Sequence, residues 1–445
     1  MTEPTHFSSP KLSNWQSAVA KVATTPKSDD PLAIITHRLP LDFAHGLVAA
    51  ASAAAEAAAK ALEGPGAPAL LKTEDRCAAA ALELADARMR GDAEAEARAH
   101  AKFAEYGTCD PRWGECILEY IAHYATSAHG HVPYKRWPHV DAFVRPLPER
   151  CRIAIVGDWG TGDERAQRLL EEVGRRRPDI LIHLGDIYYS CTNAEADRFL
   201  SNVRAVFPKG SGVTVLTLCG NHDMYSGGAP FYGLLGQIGQ DASYFCLQND
   251  HWQVLAADTG YNDFDVREEG KVSTWVRDYD EGSEDYSELA WHHRRLTQAG
   301  ARRTILLTHH QPFSANGTID PGSALNKRLL GQFQPFLGRI PLWIWGHEHN
   351  QVIYGPHAGV ERGRCIGASA VPVTLDEEPY RPHPSIRDEV PAVIDEASKL
   401  TADRAAGFYR LGFGIVELDG ATCTETYVEF DPVTGVSRTA FSSRF

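Results

Sequence analysis

Two stretches decide the reading: CRIAIVGDWG at residues 151–160 and DILIHLGDIYY at residues 179–189. Each is an apolar run of strand length that stops at Gly-Asp. Three later stretches repeat the pattern with other polar endings: GVTVLTLCGNHD at 212–223, RRTILLTHH at 302–310 and PLWIWGHEH at 341–349. Between them lie segments with helical periodicity, such as DERAQRLLEEVGRR at 163–176, a stretch at 195–206 and another at 286–300. Apolar strands alternating with helices imply an α/β architecture, in which ligands collect beyond the carboxyl ends of the strands.

Working outward, the last stretch, GFYRLGFGIVELDGATCTETYVEFD, alternates polar and apolar residues around turn signals and predicts antiparallel strands. Toward the N-terminus, residues 47–107 are rich in Ala, Glu, Leu, Lys and Arg, which favour helix. Gly64-Pro65-Gly66 ends a first helix, Thr73-Glu74-Asp75 starts a second, and residues 116–127 offer a third. An α-helical N-terminal domain or cap over 1–145 and an α/β domain over 146–445 are therefore expected. His129 and His131 flank a glycine with no third ligand nearby, and an exposed loop is the better reading of them. Trp343 and Trp345 read as core, and Arg165 as a solvated helix position.

The totals narrow the function. The chain has 445 residues, 43% hydrophobic and 23% charged, with a formal charge of −14. That balance disfavours a polymeric nucleic-acid partner, which needs clustered Lys and Arg. It does not oppose a small phosphorylated substrate, because bound cations invert the local field. No run reaches the roughly 18 apolar residues of a membrane span. The start lacks a secretory pattern, and the nine cysteines include no CxxC pair. A cytoplasmic protein is the expectation, with the oligomeric state open and a dimer through the helical part conceivable.

Each polar ending has a bland explanation on its own. An Asp after a strand caps a helix, Gly-Asn makes a turn, and a His pair satisfies itself. Five such endings in order, all at strand ends, are better explained by one metal centre. Carboxylate, amide, imidazole and phenolate donors suit hard or borderline first-row cations.

The series GDWG, GDIYY, GNHD, HHQP and GHEH resembles the calcineurin-like metallophosphoesterase family, over about residues 150–370. That resemblance implies a β-sandwich flanked by helices. The family's first motif usually reads DxH; Gly160 stands where that His would be, and the second motif supplies a tyrosine. The exchange is similar to the purple acid phosphatase branch. By this resemblance one metal is held by Asp158, Tyr189 and His349, the other by Asn221, His310 and His347, and Asp186 bridges both. The ligand position two residues before Pro312 selects His310, leaving His309 behind the ligands or facing substrate. Tyr188 is out of register and is expected to pack.

Tyrosine titrates near ~10, so a highly charged cation best holds it as phenolate. Two metal ions are expected, Fe(III) beside Tyr189 with Fe(II), Zn(II) or Mn(II) in the other position. Two cations about 3.5–4 Å apart lower the pKa of a shared water and hold a phosphate in line. The expected reaction is phosphomonoester hydrolysis by a metal-bound hydroxide, with Asp186 and His222 catalytic and His222 protonating the leaving group. A phosphodiesterase acting on cyclic nucleotides or nucleotide derivatives is the alternative. A scaffold carrying a relic site is disfavoured, because the motifs are intact.

Overall fold

The computed structural model describes residues 87, 91–98, 132, 134–262, 274–279, 286–317, 319, 322–382, 391–394 and 396–445. The chain forms two compact units. One comprises residues 1–132 with 225–229 and 264–269, and the other comprises the remainder. In the first unit the described residues include a helical segment at 93–98, where Asp92 Oδ1 accepts from the Ala95 backbone at 2.9 Å. The rest of the helical stretch read at 47–107, the candidate helix at 116–127 and the 129–131 histidines lie outside the described residues.

The second unit carries the strands β1 (Val144–Pro146), β2 (Arg150–Val156), β3 (Ile180–His183), β4 (Thr214–Thr217), β5 (Phe245–Gln248), β6 (Trp252–Ala256), β7 (Arg303–Thr308) and β8 (Leu342–Trp345). They continue as β9 (Gln351–Ile353), β10 (Gly363–Ile366), β11 (Ala402–Asp403), β12 (Phe408–Tyr409), β13 (Leu411–Asp419), β14 (Thr422–Phe430) and β15 (Ser437–Arg444). The helices that matter here are α1 (Glu164–Arg175), α2 (Asn193–Val206), α3 (Ala229–Ile238), α4 (Glu288–Thr297) and α5 (Lys327–Phe333).

Two large sheets result. One runs β1-β5-β6-β7-β8-β10-β9 and the other β15-β14-β13-β2-β3-β4. In the six-stranded sheet β2, β3 and β4 are parallel, while β13, β14 and β15 add on antiparallel, as the closing alternation predicted. In the seven-stranded sheet β6, β7, β8 and β10 run parallel.

Side-chain alternation builds the layers. Ile153, Ile155, Ile180 and Ile182 meet Val254, Ile305, Leu307, Leu342 and Ile344 in one buried core, so the two sheets pack face to face. The alternate residues of β8, Trp343 and Trp345, turn to the opposite face and join Trp291, Leu296, Leu329 and Phe333 from α4 and α5. Both tryptophans are core residues, as read. A two-sheet sandwich flanked by helices, the arrangement the resemblance implies, is what the second unit forms.

Helix starts follow local chemistry. Asp163 caps α1 by accepting from the Ala166 backbone at 2.8 Å, and Leu169, Leu170 and Val173 bury one face. Thr192 and Glu195 form a capping box at α2. Arg165 departs from its expected solvated position. Its side chain is 14% exposed and its guanidinium lies 4.6 Å over the Phe408 ring.

The sheets are also tied by charge. Arg364 of β10 grips Glu425 of β14 through two hydrogen bonds, at 2.7 and 3.0 Å, with both side chains sealed from solvent. Tyr427 and Ser443 donate to the same carboxylate, and Arg364 donates to the Tyr354 and Gly363 carbonyls. A fully paired buried ion pair adds little over an apolar pair, but losing one partner strands the other charge. Glu425→Ala should therefore lower stability by about 3–5 kcal/mol, measured by denaturant unfolding.

A second polar cluster sits at the start of α4. Glu288 accepts from the Asp258 backbone at 2.8 Å, lies 2.9 Å from His292 Nε2, and takes the Tyr134 hydroxyl. Burial pushes Glu288 up to about 8 and His292 down to about 3. The native state thus holds a proton on Glu288 that the unfolded chain releases near its ordinary pKa. This contribution is full below about pH 4 and is lost as pH rises toward 8. Glu288→Gln should flatten the fall in thermal midpoint between pH 5 and 8 relative to wild type.

Candidate metal centre

Every strand end named in the sequence arrives at one place. Asp158 follows β2, Asp186 follows β3, Asn221 and His222 follow β4, His309 follows β7, and His347 and His349 follow β8. Three of these residues sit in the left-handed backbone region, with φ of 56° at Asp158, 73° at Asp186 and 65° at His347. That conformation costs a non-glycine residue about 1–2 kcal/mol. It turns each chain sharply off its strand, and neighbouring contacts hold it there. Asp158 Oδ2 accepts from the His347 backbone at 2.8 Å, and Asp186 Oδ1 accepts from the His222 backbone at 3.0 Å.

Donor atoms crowd around two points. At the first, the Tyr188 hydroxyl lies 3.0 Å from Asp158 Oδ1, 3.1 Å from Asp186 Oδ2 and 2.9 Å from His349 Nε2. At the second, Asn221 Oδ1 lies 3.0 Å from both His309 Nε2 and His347 Nδ1, which are 3.2 Å apart. Asp186 Oδ1 is 3.5 Å from His309 Nε2, so this one carboxylate faces both points. With bonds of about 2.1 Å, donors stand about 3.0 Å apart in an octahedral shell and about 3.4 Å apart in a tetrahedral one. The spacings match cation coordination at both positions, and Asp158, Asp186 and His309 form a group able to hold a metal ion.

Tautomers support the assignment. His309 Nδ1 lies 2.9 Å from the Leu184 carbonyl, which takes its proton and leaves the Nε2 lone pair toward Asn221 and Asp186. His222 Nδ1 likewise faces the Tyr189 carbonyl at 2.7 Å, so its Nε2 points toward Asp186, 3.9 Å from Oδ2. Burial alone would raise Asp186, yet His309, His222 and the His222 N–H hold it down at about 2. Burial and the Asp158 and Asp186 charges push Tyr188 well above 10.

Two placements bear on the expected ligands. Tyr188, expected to pack, places its hydroxyl among Asp158, Asp186 and His349. The Tyr189 backbone is pinned at both ends, its N–H donating to Glu195 and its carbonyl facing His222. His309, set aside in the sequence reading, joins the cluster, and His309, His310 and His347 form a second group whose donor atoms lie within 4.8 Å of one another, with His310 Nδ1 2.9 Å from Thr259 Oγ1. Spacing to Pro312 ranked His310 first; what spacing omits is that the residue directly after β7 points across to β3 and β4.

Asp223 is the residue the sequence undervalued. It is fully buried; its Oδ2 accepts from the Gly220 and Asp186 backbones at 2.7 and 3.0 Å, and its Oδ1 accepts from Ile187 at 3.0 Å. One carboxylate thus sews the Asp186 loop to the Asn221 loop.

With the geometry in place, the comparisons can be stated. Residues 151–351 match the calcineurin-like phosphoesterase family. This segment is a calcineurin-like phosphoesterase domain. The chain is accordingly a metal-dependent phosphoester hydrolase. No curated protein matches it. Among solved structures it is similar to the anchor in the inner membrane complex of Plasmodium, at 13% identity and TM-score 0.40, covering 66% of this chain and 88% of that one. A predicted phosphoesterase from Streptococcus pneumoniae is 13% identical at TM-score 0.27, covering 67% and 100%. A putative 5'-nucleotidase from Staphylococcus aureus is 11% identical at TM-score 0.32, covering 66% and 54%. Among the described residues, no helix is long and apolar enough to cross a membrane.

The phosphoesterase site leaves no room at Gly220, where an added Cβ would stand 2.1 Å from Asp186 Oδ1. Gly220→Ala should weaken metal binding about 10–100-fold, as displacing a supporting group does. Circular dichroism should stay unchanged, and metal analysis after dialysis reads the loss.

Proposed function

We propose that the centre hydrolyses phosphomonoesters, with one cation held by Asp158, Tyr188 and His349, a second by Asn221, His309 and His347, and Asp186 between them. The observation that carries this reading is the Tyr188 hydroxyl, within 3.1 Å of both carboxylates and of His349. A phenol replaces the histidine of the usual first motif, in keeping with the purple acid phosphatase resemblance, though from the residue before the expected one. A phenol beside two carboxylates gives up its proton most readily to a highly charged cation, which supports Fe(III) there and Fe(II), Zn(II) or Mn(II) in the second position.

When bound, such a cation pair supplies Lewis acidity toward the phosphoryl oxygens and an activated water. The chain's own residues do the rest. Asp186 holds both positions at one spacing, and Asp223 keeps the two loops in register. Without cations the gathered carboxylates would repel a phosphate, so the same side chains that bind metal also gate substrate. His222 has Nδ1 committed to the Tyr189 carbonyl and presents Nε2 at the site edge, where it donates a proton to the departing alkoxide. The six described cysteines are free, buried thiols, which supports a reducing, cytoplasmic setting.

Two measurements test this. Turnover of p-nitrophenyl phosphate should exceed that of bis-p-nitrophenyl phosphate, and His222→Ala should lower kcat about 10²–10⁴-fold with metal content unchanged. A preference for the diester would instead assign the centre to phosphodiesters such as cyclic nucleotides. The isolated protein should also show a tyrosinate-to-iron absorption band that Tyr188→Phe abolishes and Tyr189→Phe keeps. A band lost only in Tyr189→Phe would return the ligand to the position first expected.

A further inference from the structure

Resting on that reading, we infer that Glu348 is a positioning residue, which locks the loop leaving β8 to the loop leaving β7 and so fixes the histidines that both loops carry. Glu348 stands between His347 and His349, yet its carboxylate turns elsewhere. His347 Nδ1 faces Asn221 Oδ1 at 3.0 Å and His349 Nε2 faces the Tyr188 hydroxyl at 2.9 Å. Glu348 Oε1 instead accepts from the Ser314 hydroxyl. Among the described residues, neither group able to hold a metal ion includes Glu348 or Ser314.

The main chain at Glu348 has no slack. Its N–H donates to the Gly346 carbonyl at 2.8 Å, and its own carbonyl accepts from Asn350 at 2.6 Å. The Cys365 thiol of β10 faces the Gly346, Glu348 and Asn350 carbonyls at 3.8, 3.6 and 3.8 Å. Just past β10, a Cβ added at Gly367 would stand 2.0 Å from the Glu348 carbonyl oxygen. A carboxylate on so fixed a base holds its partner in one place.

The partner is tied as firmly. Ser314 is fully buried, its N–H donates to the Ala324 carbonyl at 2.9 Å, and its hydroxyl accepts from the Asn316 and Gly317 backbones at 3.0 and 2.9 Å. Asn326 donates to the Pro312 carbonyl at 2.9 Å, and the Phe313 ring meets Trp345 of β8 edge-on with centroids 5.2 Å apart. The segment from His309 to Ser314 is therefore short, fastened at its far end, and joined to the β8 loop by the contact of one carboxylate with one hydroxyl. Glu348 thus does for the exits of β7 and β8 what Asp223 does for those of β3 and β4, through a side-chain partner in place of main-chain ones. Removing either group strands the other in a buried setting, and the histidine loops lose their common reference.

The test is a double-mutant cycle on the full chain, with wild type, Glu348→Ala, Ser314→Ala and the double variant, and with Glu348→Gln beside them. Each is read for zinc affinity by calorimetric titration, for kcat on p-nitrophenyl phosphate and bis-p-nitrophenyl phosphate at saturating zinc, and for melting midpoint. Glu348→Ala and Ser314→Ala should each weaken zinc binding about 10–100-fold and lower kcat. The double variant should be no worse than the poorer single one. Glu348→Gln, whose amide oxygen still accepts the Ser314 hydroxyl, should keep most of the wild-type affinity and kcat. If Glu348→Gln is as poor as Glu348→Ala, the carboxylate acts by its charge and the inference is overturned. Single effects that multiply in the double variant overturn it too, as does a lowered melting midpoint with zinc affinity and kcat unchanged. A cycle that behaves as expected in a protein turning over only the diester upholds Glu348 and revises the substrate alone. A wild type that binds no zinc removes the centre, and the inference with it.

Discussion

The buried carboxylate of Asp223 is the constraint on which the site depends. Its two oxygens take three backbone N–H groups, two from the loop carrying Asp186 and one from the loop carrying Asn221. Those loops leave neighbouring parallel strands of the six-stranded sheet, and left alone each would turn in its own way. Tied together, they set the Asp186 carboxylate and the Asn221 amide at one separation. The histidines after β7 and β8 of the seven-stranded sheet meet them from the other side.

This arrangement explains why strained backbone is tolerated there. Asp158, Asp186 and His347 hold left-handed conformations that an unsupported loop would abandon, and each is braced by a hydrogen bond from or to another ligand's loop. The same bracing gathers carboxylate, amide and imidazole donors at spacings that suit a cation. The free energy that offsets the crowding comes from the apolar core between the two sheets. Rigidity in the scaffold is thereby converted into preorganisation at the strand ends.

His222 and Tyr188 show how one local fold serves two roles. The Tyr189 carbonyl orients His222, and the same main-chain path swings Tyr188 toward Asp158 and Asp186. His222 and Tyr188, far apart in the chain, are thus both placed by the short segment around the Tyr189 peptide. A change there would disturb the placement of both side chains.

Much of this was legible in the chain. The apolar runs ending in GD, GNHD, HHQP and GHEH determined the strands, the sandwich and the convergence of Asp158, Asp186, Asn221, His347 and His349, because a strand's period and its terminal residue are local properties. Which of two adjacent side chains enters the site was not local. The place of the Tyr188 hydroxyl beside Asp158, Asp186 and His349, and of His309 against the Leu184 carbonyl across the sheet, depends on partners far away in the chain. Neighbouring residues in a turn point in different directions, and only contacts from distant segments decide which direction faces the metals.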